Sequence, residues 1–82
     1  MILVDINVPS VDMTWDFMID ENTELRMVIP ELVRMAATAT ESDENIDPER
    51  FSLYSVTDGR ELSPFETLAE SGIRDGHRLM LL

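Results

Sequence analysis

The sequence predicts an α+β fold, one sheet with a single main helix laid across it. Three observations carry this. Residues 1–8 and 13–19 alternate apolar with polar side chains, the period of two that marks half-buried strands. Leu25, Val28, Ile29, Leu32, Val33 and Ala36 fall at offsets 0, 3, 4, 7, 8 and 11, which is one apolar stripe of a helix. The closing stretch DGRELSPFETLAESGIRDGHRLMLL (58–82) packs a turn, a capped short helix, a glycine stop and a final apolar strand into little space. Strands and helices segregated in this way indicate a two-layer α+β arrangement. All 82 residues are read as one domain (1–82), because a chain this short buries only ~60–65% of its unfolded surface in one small core.

Each element has its own warrant. Ile2, Val4, Ile6 and Val8 share one face of the first strand, opposed by Leu3, Asp5 and Asn7. Pro9-Ser10 breaks it. Met13, Trp15, Phe17 and Ile19 share a face of the second strand, opposed by Thr14, Asp16 and Met18, so the two read as a hairpin. Thr23 is the expected N-cap of the helix, with Glu24 in the first turn, where an acid suits the dipole. Pro30 lies beyond the first turn and predicts a bend. Thr38–Glu49 is polar and acidic and reads as a loop. Phe51, Leu53 and Ser55 alternate with Ser52, Tyr54 and Val56 in a third strand. Asp58-Gly59 is a turn pair. Ser63, Pro64 and Glu66 spell the start of a short helix with a capping box. Gly72 suits the left-handed position past its end, with Ile73 folding back on Leu68. Asp75-Gly76 turns the chain into the last strand, Arg78–Leu82.

Composition narrows the function. Seventeen acidic residues face six basic ones, a net charge of −11. Such a surface repels phosphate backbones and anionic lipid heads, so neither nucleic acid nor a membrane surface is an expected partner. No apolar run approaches the ~20 residues of a membrane span. MILVDINV lacks the basic lead of a signal peptide, so a cytoplasmic location is expected, with membrane association only through a partner or a longer parent chain. There is no cysteine, hence no disulfide, thiolate metal site or cysteine nucleophile, and every basic residue is arginine.

No set of acid, base and nucleophile can be assembled from the spacing, so no catalytic residue, cofactor or metal ligand is assigned and no enzyme activity is expected. His77 is the only histidine and reads as a solvent-exposed turn residue. Asp43, Glu44, Asn45 and Asp47 begin like a calcium loop, but Pro48 stands where glycine is required and Tyr54 where glutamate is. A solvated acidic loop is the better reading. Trp15 and Phe17, at strand spacing with Met13 and Ile19, read as core packing rather than as an aromatic binding face. The six methionines suit an adaptable contact surface, though core filling is the simpler role.

At this point the residues resemble a known family. The order of elements, the size and the ending are similar to the ubiquitin-like β-grasp fold, a mixed sheet of four or five strands with one main helix and a short second helix. ENTELRMVIPELVRMA (21–36), proline included, and LSPFETLAESGIRDGHRLMLL (62–82) resemble the small ubiquitin-like domains of bacterial type VII secretion systems. Those domains occur as free-standing YukD-like proteins and as the cytosolic N-terminal domain of the membrane component EccD. The resemblance implies a non-enzymatic module acting by protein–protein binding. Its implied partners are the secretion-system membrane subunits or the FtsK/SpoIIIE-type ATPase, with homodimerisation a further candidate. The alternative is a ubiquitin-like modifier or sulfur carrier. It needs a flexible Gly-Gly tail, and the sequence stops at Leu82 inside an apolar strand.

If Leu53, Leu79 and Leu81 face the helix, then Tyr54, Met80 and Leu82 face away from it, and Leu3 joins them on the outer side of the sheet. The resemblance places Tyr54, Met80 and Leu82 where ubiquitin-like domains carry a recognition patch. Leu3, Tyr54, Met80 and Leu82 are therefore the expected partner-binding residues, since an exposed apolar cluster on a small domain often marks an interface. The bland alternative is scattered surface apolar side chains, which are ordinary.

Overall fold

In the computed structural model, which describes residues 1–40 and 47–82, Ile2–Val8 (β1) and Met13–Ile19 (β2) form an antiparallel hairpin. Its register is unbroken from Ile2 opposite Ile19 to Val8 opposite Met13. The connection is a 3₁₀ turn, Pro9–Val11, closed by Asp12 at φ 51°, a left-handed conformation that aspartate tolerates better than most residues. The helix α1 runs Leu25–Ala39 and continues through Pro30. The carbonyl that loses its donor to the proline belongs to Arg26, on the exposed side of the helix. Leu53–Ser55 (β3) and Arg60–Glu61 (β4) form a second, shorter hairpin, and Arg78–Leu81 (β5) closes the sheet. The strand order is β2-β1-β5-β3-β4, with β5 parallel to β1 and every other pair antiparallel. The α+β architecture and the mixed five-stranded sheet thus match the expectation.

The apolar stripe of α1 is buried as its spacing predicts, Leu25, Val28, Ile29, Leu32, Val33 and Ala36 all lying in the core. It covers Val4, Ile6, Val8 and Ile19 of the first hairpin and Leu53, Leu79 and Leu81 of the later strands, with Leu62, Leu68 and Ile73 completing the cluster. Among the described residues two polar side chains are buried with them, each satisfied locally. Ser55 Oγ accepts from the Asp58 N–H at 3.0 Å, and the Ser71 hydroxyl donates to Glu66 Oε2 at 2.9 Å.

Three expectations need correction. Thr23 does not cap α1. The residue before the helix is Glu24, which offers no side-chain cap, and Thr23 lies in the turn before it, its N–H donating to the Asp20 carbonyl at 3.2 Å. The Asn22 N–H, and after it the nearby Thr23 hydroxyl, lower the pKa of the Asp20 carboxyl. The N–H groups of Leu25 and Arg26 donate to the carbonyls of Glu66 (2.9 Å) and Pro64 (2.8 Å). The helix also extends three residues beyond Ala36, to Ala39, into what the sequence reads as loop.

The short second helix is the third correction, because residues 64–72 form turns on either side of an isolated bridge from Thr67 to Glu24. The reciprocal cap exists, but at Thr67 and Glu70 rather than Ser63 and Glu66. Glu70 N donates to Thr67 Oγ1 at 3.1 Å, and Thr67 N donates to Glu70 Oε1 at 3.0 Å. The predicted stop at Gly72 is present. Gly72 N donates to Ala69 O and Ile73 N to Leu68 O, the paired bonds of a Schellman ending, with Leu68 and Ile73 both in the core.

Gly72 sits at φ +77° with open space where a Cβ would stand. Gly72→Ala therefore meets no neighbour and carries only backbone strain. It should cost about 1–2 kcal/mol in urea denaturation. A neutral result would mean that the 67–73 turns adjust freely.

Candidate protein-interaction surface

The helix covers one face of the sheet, and the register assembles the other. One row crosses all five strands, Thr14, Asn7, Met80, Tyr54 and Glu61. A second row is Asp16, Asp5 and Arg78, and a third is the pair Met18 and Leu3. Asn7 is fixed in its row by donating from Nδ2 to Thr14 Oγ1 at 3.0 Å.

The structure brings three of the four expected partner-binding residues together. Tyr54 and Met80 are direct cross-strand neighbours and half-buried against each other's strands. Leu82 follows Met80 on the same side, pairs its backbone with Ser52, and is 48% exposed. Leu3 lies on the same face but at its far end. Four steps along the strand take it to the Asn7–Met80 row, about 13 Å, and the charged Asp5–Arg78 row lies between. Its neighbour is Met18, 58% exposed, one of the methionines that the sequence places outside the core, where it suits an adaptable contact surface. Phe65, at 73% the most exposed large apolar side chain among the described residues, escapes sequence reading because the pattern places it on a helix rather than in a turn.

Other candidates resolve plainly. Trp15 and Phe17 are half-buried against the core, ring centroids 6.3 Å apart. None of the six methionines is in the buried core, which overturns the core-filling reading. His77 is half-buried rather than fully exposed, with its Nδ1 accepting from Arg74 N at 3.4 Å. Of the calcium-like stretch, Asp43, Glu44, Asn45 and Ile46 lie outside the described residues. Asp47 spends its Oδ1 on the Glu49 N–H, starting the 3₁₀ turn Pro48–Arg50. No group of three or more histidine, aspartate or glutamate side chains among the described residues is placed to hold a metal ion, and no described helix is long and apolar enough to cross a membrane.

The second row carries an electrostatic conflict. Asp5 N donates to His77 O, and Leu3 O accepts from Gly76 N. Leu3, Asp5 and Asn7 thus aim their backbone groups at β5, and the alternate residues aim theirs at β2. Asp5 and Asp16 are then a non-hydrogen-bonded pair, the closer kind, with Cα atoms about 4.5 Å apart. Like charges directly opposite are destabilising. When it is protonated, Asp16 can share a hydrogen bond with the Asp5 carboxylate, and this, with the Asp5 charge behind it, raises its pKa. Arg78 is next in the row, yet no ion pair among the described residues ties it to either acid.

Comparison with known proteins adds the following. A family described as the WXG100 protein secretion system protein YukD matches residues 3–81. None of the curated proteins matches the sequence significantly. Among solved structures, the EccD5 ubiquitin-like domain from Mycobacterium xenopi is similar at TM-score 0.78 and 24% identity, over 99% of this chain and 91% of that one. The ubiquitin of Caldiarchaeum subterraneum is similar at TM-score 0.74 and 20% identity, over 98% and 89%. A ubiquitin-like domain from Arabidopsis thaliana is similar at TM-score 0.73 and 21% identity, over 99% and 74%. At these identities the structures establish the ubiquitin-like fold.

The carboxylate pair has a pH signature. Because Asp16 is raised, the folded state holds its proton more tightly than the unfolded chain does. The stabilisation is fully present below the unfolded value of about 3.9 and is lost as pH rises through the raised folded value. Asp16→Asn should therefore raise the thermal midpoint at pH 7, with the gain shrinking towards pH 3. An equal gain at both pH values would show that repulsion from Asp5 is not its source.

Proposed function

The chain belongs to the YukD family of the WXG100 protein secretion system, and on that premise we propose that it is a non-enzymatic binding module of a bacterial type VII secretion machine, acting in the cytoplasm. Its partners in this reading are the membrane subunits or the FtsK/SpoIIIE-type ATPase. The single observation that carries the reading is the contiguous cluster of Tyr54, Met80 and Leu82 on the sheet face that the helix leaves open. Two of these side chains are large, one of them an aromatic with a polar tip, the type enriched where a partner is anchored. The cluster is rimmed by Asn7, Thr14 and Glu61, a polar border of the kind that surrounds apolar contact centres.

Leu3 and Met18 offer a second, smaller contact at the far end of the face. The Asp16–Asp5–Arg78 row between them supplies charge of both signs, which sets orientation more than affinity. The excess of acid elsewhere favours a basic counterpart.

The test is purification of the tagged chain from its native cell, followed by mass spectrometry with and without denaturation. Secretion-system membrane subunits or the ATPase should accompany the wild-type chain and be lost on denaturation. Tyr54→Ala combined with Leu82→Asp should cut their recovery about tenfold or more, each being placed as an anchor. Circular dichroism verifies that the variant stays folded. Unchanged recovery with a folded variant would remove the outer face as the binding surface, and adducts that survive denaturation would make the chain a conjugated modifier.

A further inference from the structure

The two edges of the sheet are built differently. The β4 edge is two residues long, and both are charged, Arg60 and Glu61. Short, charged edges are how sheets avoid pairing with other chains. The β2 edge is seven residues long, Met13–Ile19. It contains no proline, lysine or glycine, and it pairs with β1 without a bulge. Among the described residues nothing pairs with its other side, since β2 ends the strand order.

The unused hydrogen-bonding groups can be named. Ile2, Val4, Ile6 and Val8 aim their backbone groups at β2, so Met13, Trp15, Phe17 and Ile19 answer them. The intervening Thr14, Asp16 and Met18 turn their N–H and C=O groups outward. The apolar layer is also unfinished here. Val4 and Ile6 are fully buried, whereas Phe17 and Trp15 directly opposite them are only half-buried, and Met13 at the end of the strand is 41% exposed. One more strand alongside β2 would satisfy the outward groups and cover the margins of both aromatic rings.

We propose that the free edge of β2 is a strand-addition site for an extended segment of a partner protein with the pattern apolar–basic–apolar. Laid antiparallel, its central arginine or lysine lies opposite Asp16 on the outer face. Its two flanking apolar side chains lie on the inner face against Trp15 and Phe17. Charge complementarity selects this occupant. A cation opposite Asp16 relieves the repulsion between Asp16 and Asp5. A second copy of this chain does the reverse, since two-fold pairing centred on Asp16 sets four carboxylates in one row between chains of net charge −11. Backbone bonds supply affinity in such additions and alternate side chains supply specificity. The site is separate from the Tyr54–Met80–Leu82 cluster and does not depend on it.

The probe is a displayed library of random dodecamer peptides, selected on the intact chain. Enriched peptides should share the apolar–basic–apolar core. In ¹H–¹⁵N spectra they should slow exchange of the Thr14, Asp16 and Met18 amides about tenfold or more, because these amides gain partners. Asp16→Lys should weaken those peptides about tenfold and shift selection to an acidic centre. The proposal is overturned if no peptide is enriched, or if enriched peptides protect residues around Tyr54 and Met80 instead. It is equally overturned if the three amides become protected on concentrating the chain alone, which would assign the edge to a second copy.

Discussion

The structure depends on how the start of α1 is satisfied. The first N–H groups of a helix have no partner within it, and here no side chain caps them. The carbonyls of Pro64 and Glu66 accept from Arg26 and Leu25, and the carbonyl of Glu21 accepts from Ala69. These bonds join two stretches some forty residues apart in sequence. They hold the turns of 62–73 against the helix, with Leu68 and Ile73 buried beneath it. That placement fixes where the chain enters β5. From there Asp75 accepts the Leu3 N–H at 2.7 Å and Gly76 N donates to Leu3 O, which threads β5 into the centre of the sheet, parallel to β1. Both candidate contact surfaces follow from this threading, since it sets Met80 beside Tyr54 and leaves β2 on the outside.

Much of this is legible in the sequence where side-chain period alone decides. The alternation in β1 and β2 and the stripe from Leu25 to Ala36 each report a single face, and both faces are found where the pattern puts them. Gly72 followed by Ile73 is legible because only a left-handed residue with an apolar follower makes that ending. The helix caps are not. Ser63-Pro64-Phe65-Glu66 has the residue types of a capped start, but Pro64 and Glu66 must present their carbonyls to α1, and a helix begun at 63 would commit those carbonyls to its own bonds. Thr23 fails for a related reason. Thr23 is held in a turn by its N–H bond to the Asp20 carbonyl, one residue before the helix boundary, and a distant backbone takes over the capping. Long-range backbone partners leave no local signature in the residues that use them.

The outer face was legible as a face but not as a map. Alternation assigns Leu3, Tyr54, Met80 and Leu82 to the same side of the sheet. Only the register between β1 and β5 reveals that Asp5 and Arg78 stand between Leu3 and the others. The methionines show a second limit. Thioether side chains pack well in a core, yet the core here is filled by branched aliphatic residues from the stripe and the strands. Methionine is left to the surface of β2, to α1 and to the middle of β5, where a flexible apolar side chain adapts to whatever covers it.

The acid excess gives these surfaces different characters. It opposes like-charged copies over roughly the Debye length of ~8 Å at physiological ionic strength, which lets a chain this small leave apolar side chains and an open strand edge in contact with water. Long-range charge favours basic partners without choosing among them. The choice is made at short range. On the outer face it is made by Tyr54 and Met80 within a polar border, and at the edge by the spacing of Trp15, Asp16 and Phe17. Strand addition at β2 would continue the outer face on the side of Thr14, Asp16 and Met18, away from Tyr54 and Glu61. The edge and the Tyr54–Met80–Leu82 cluster are therefore geometrically compatible, and a strand added at β2 leaves Tyr54, Met80 and Leu82 uncovered.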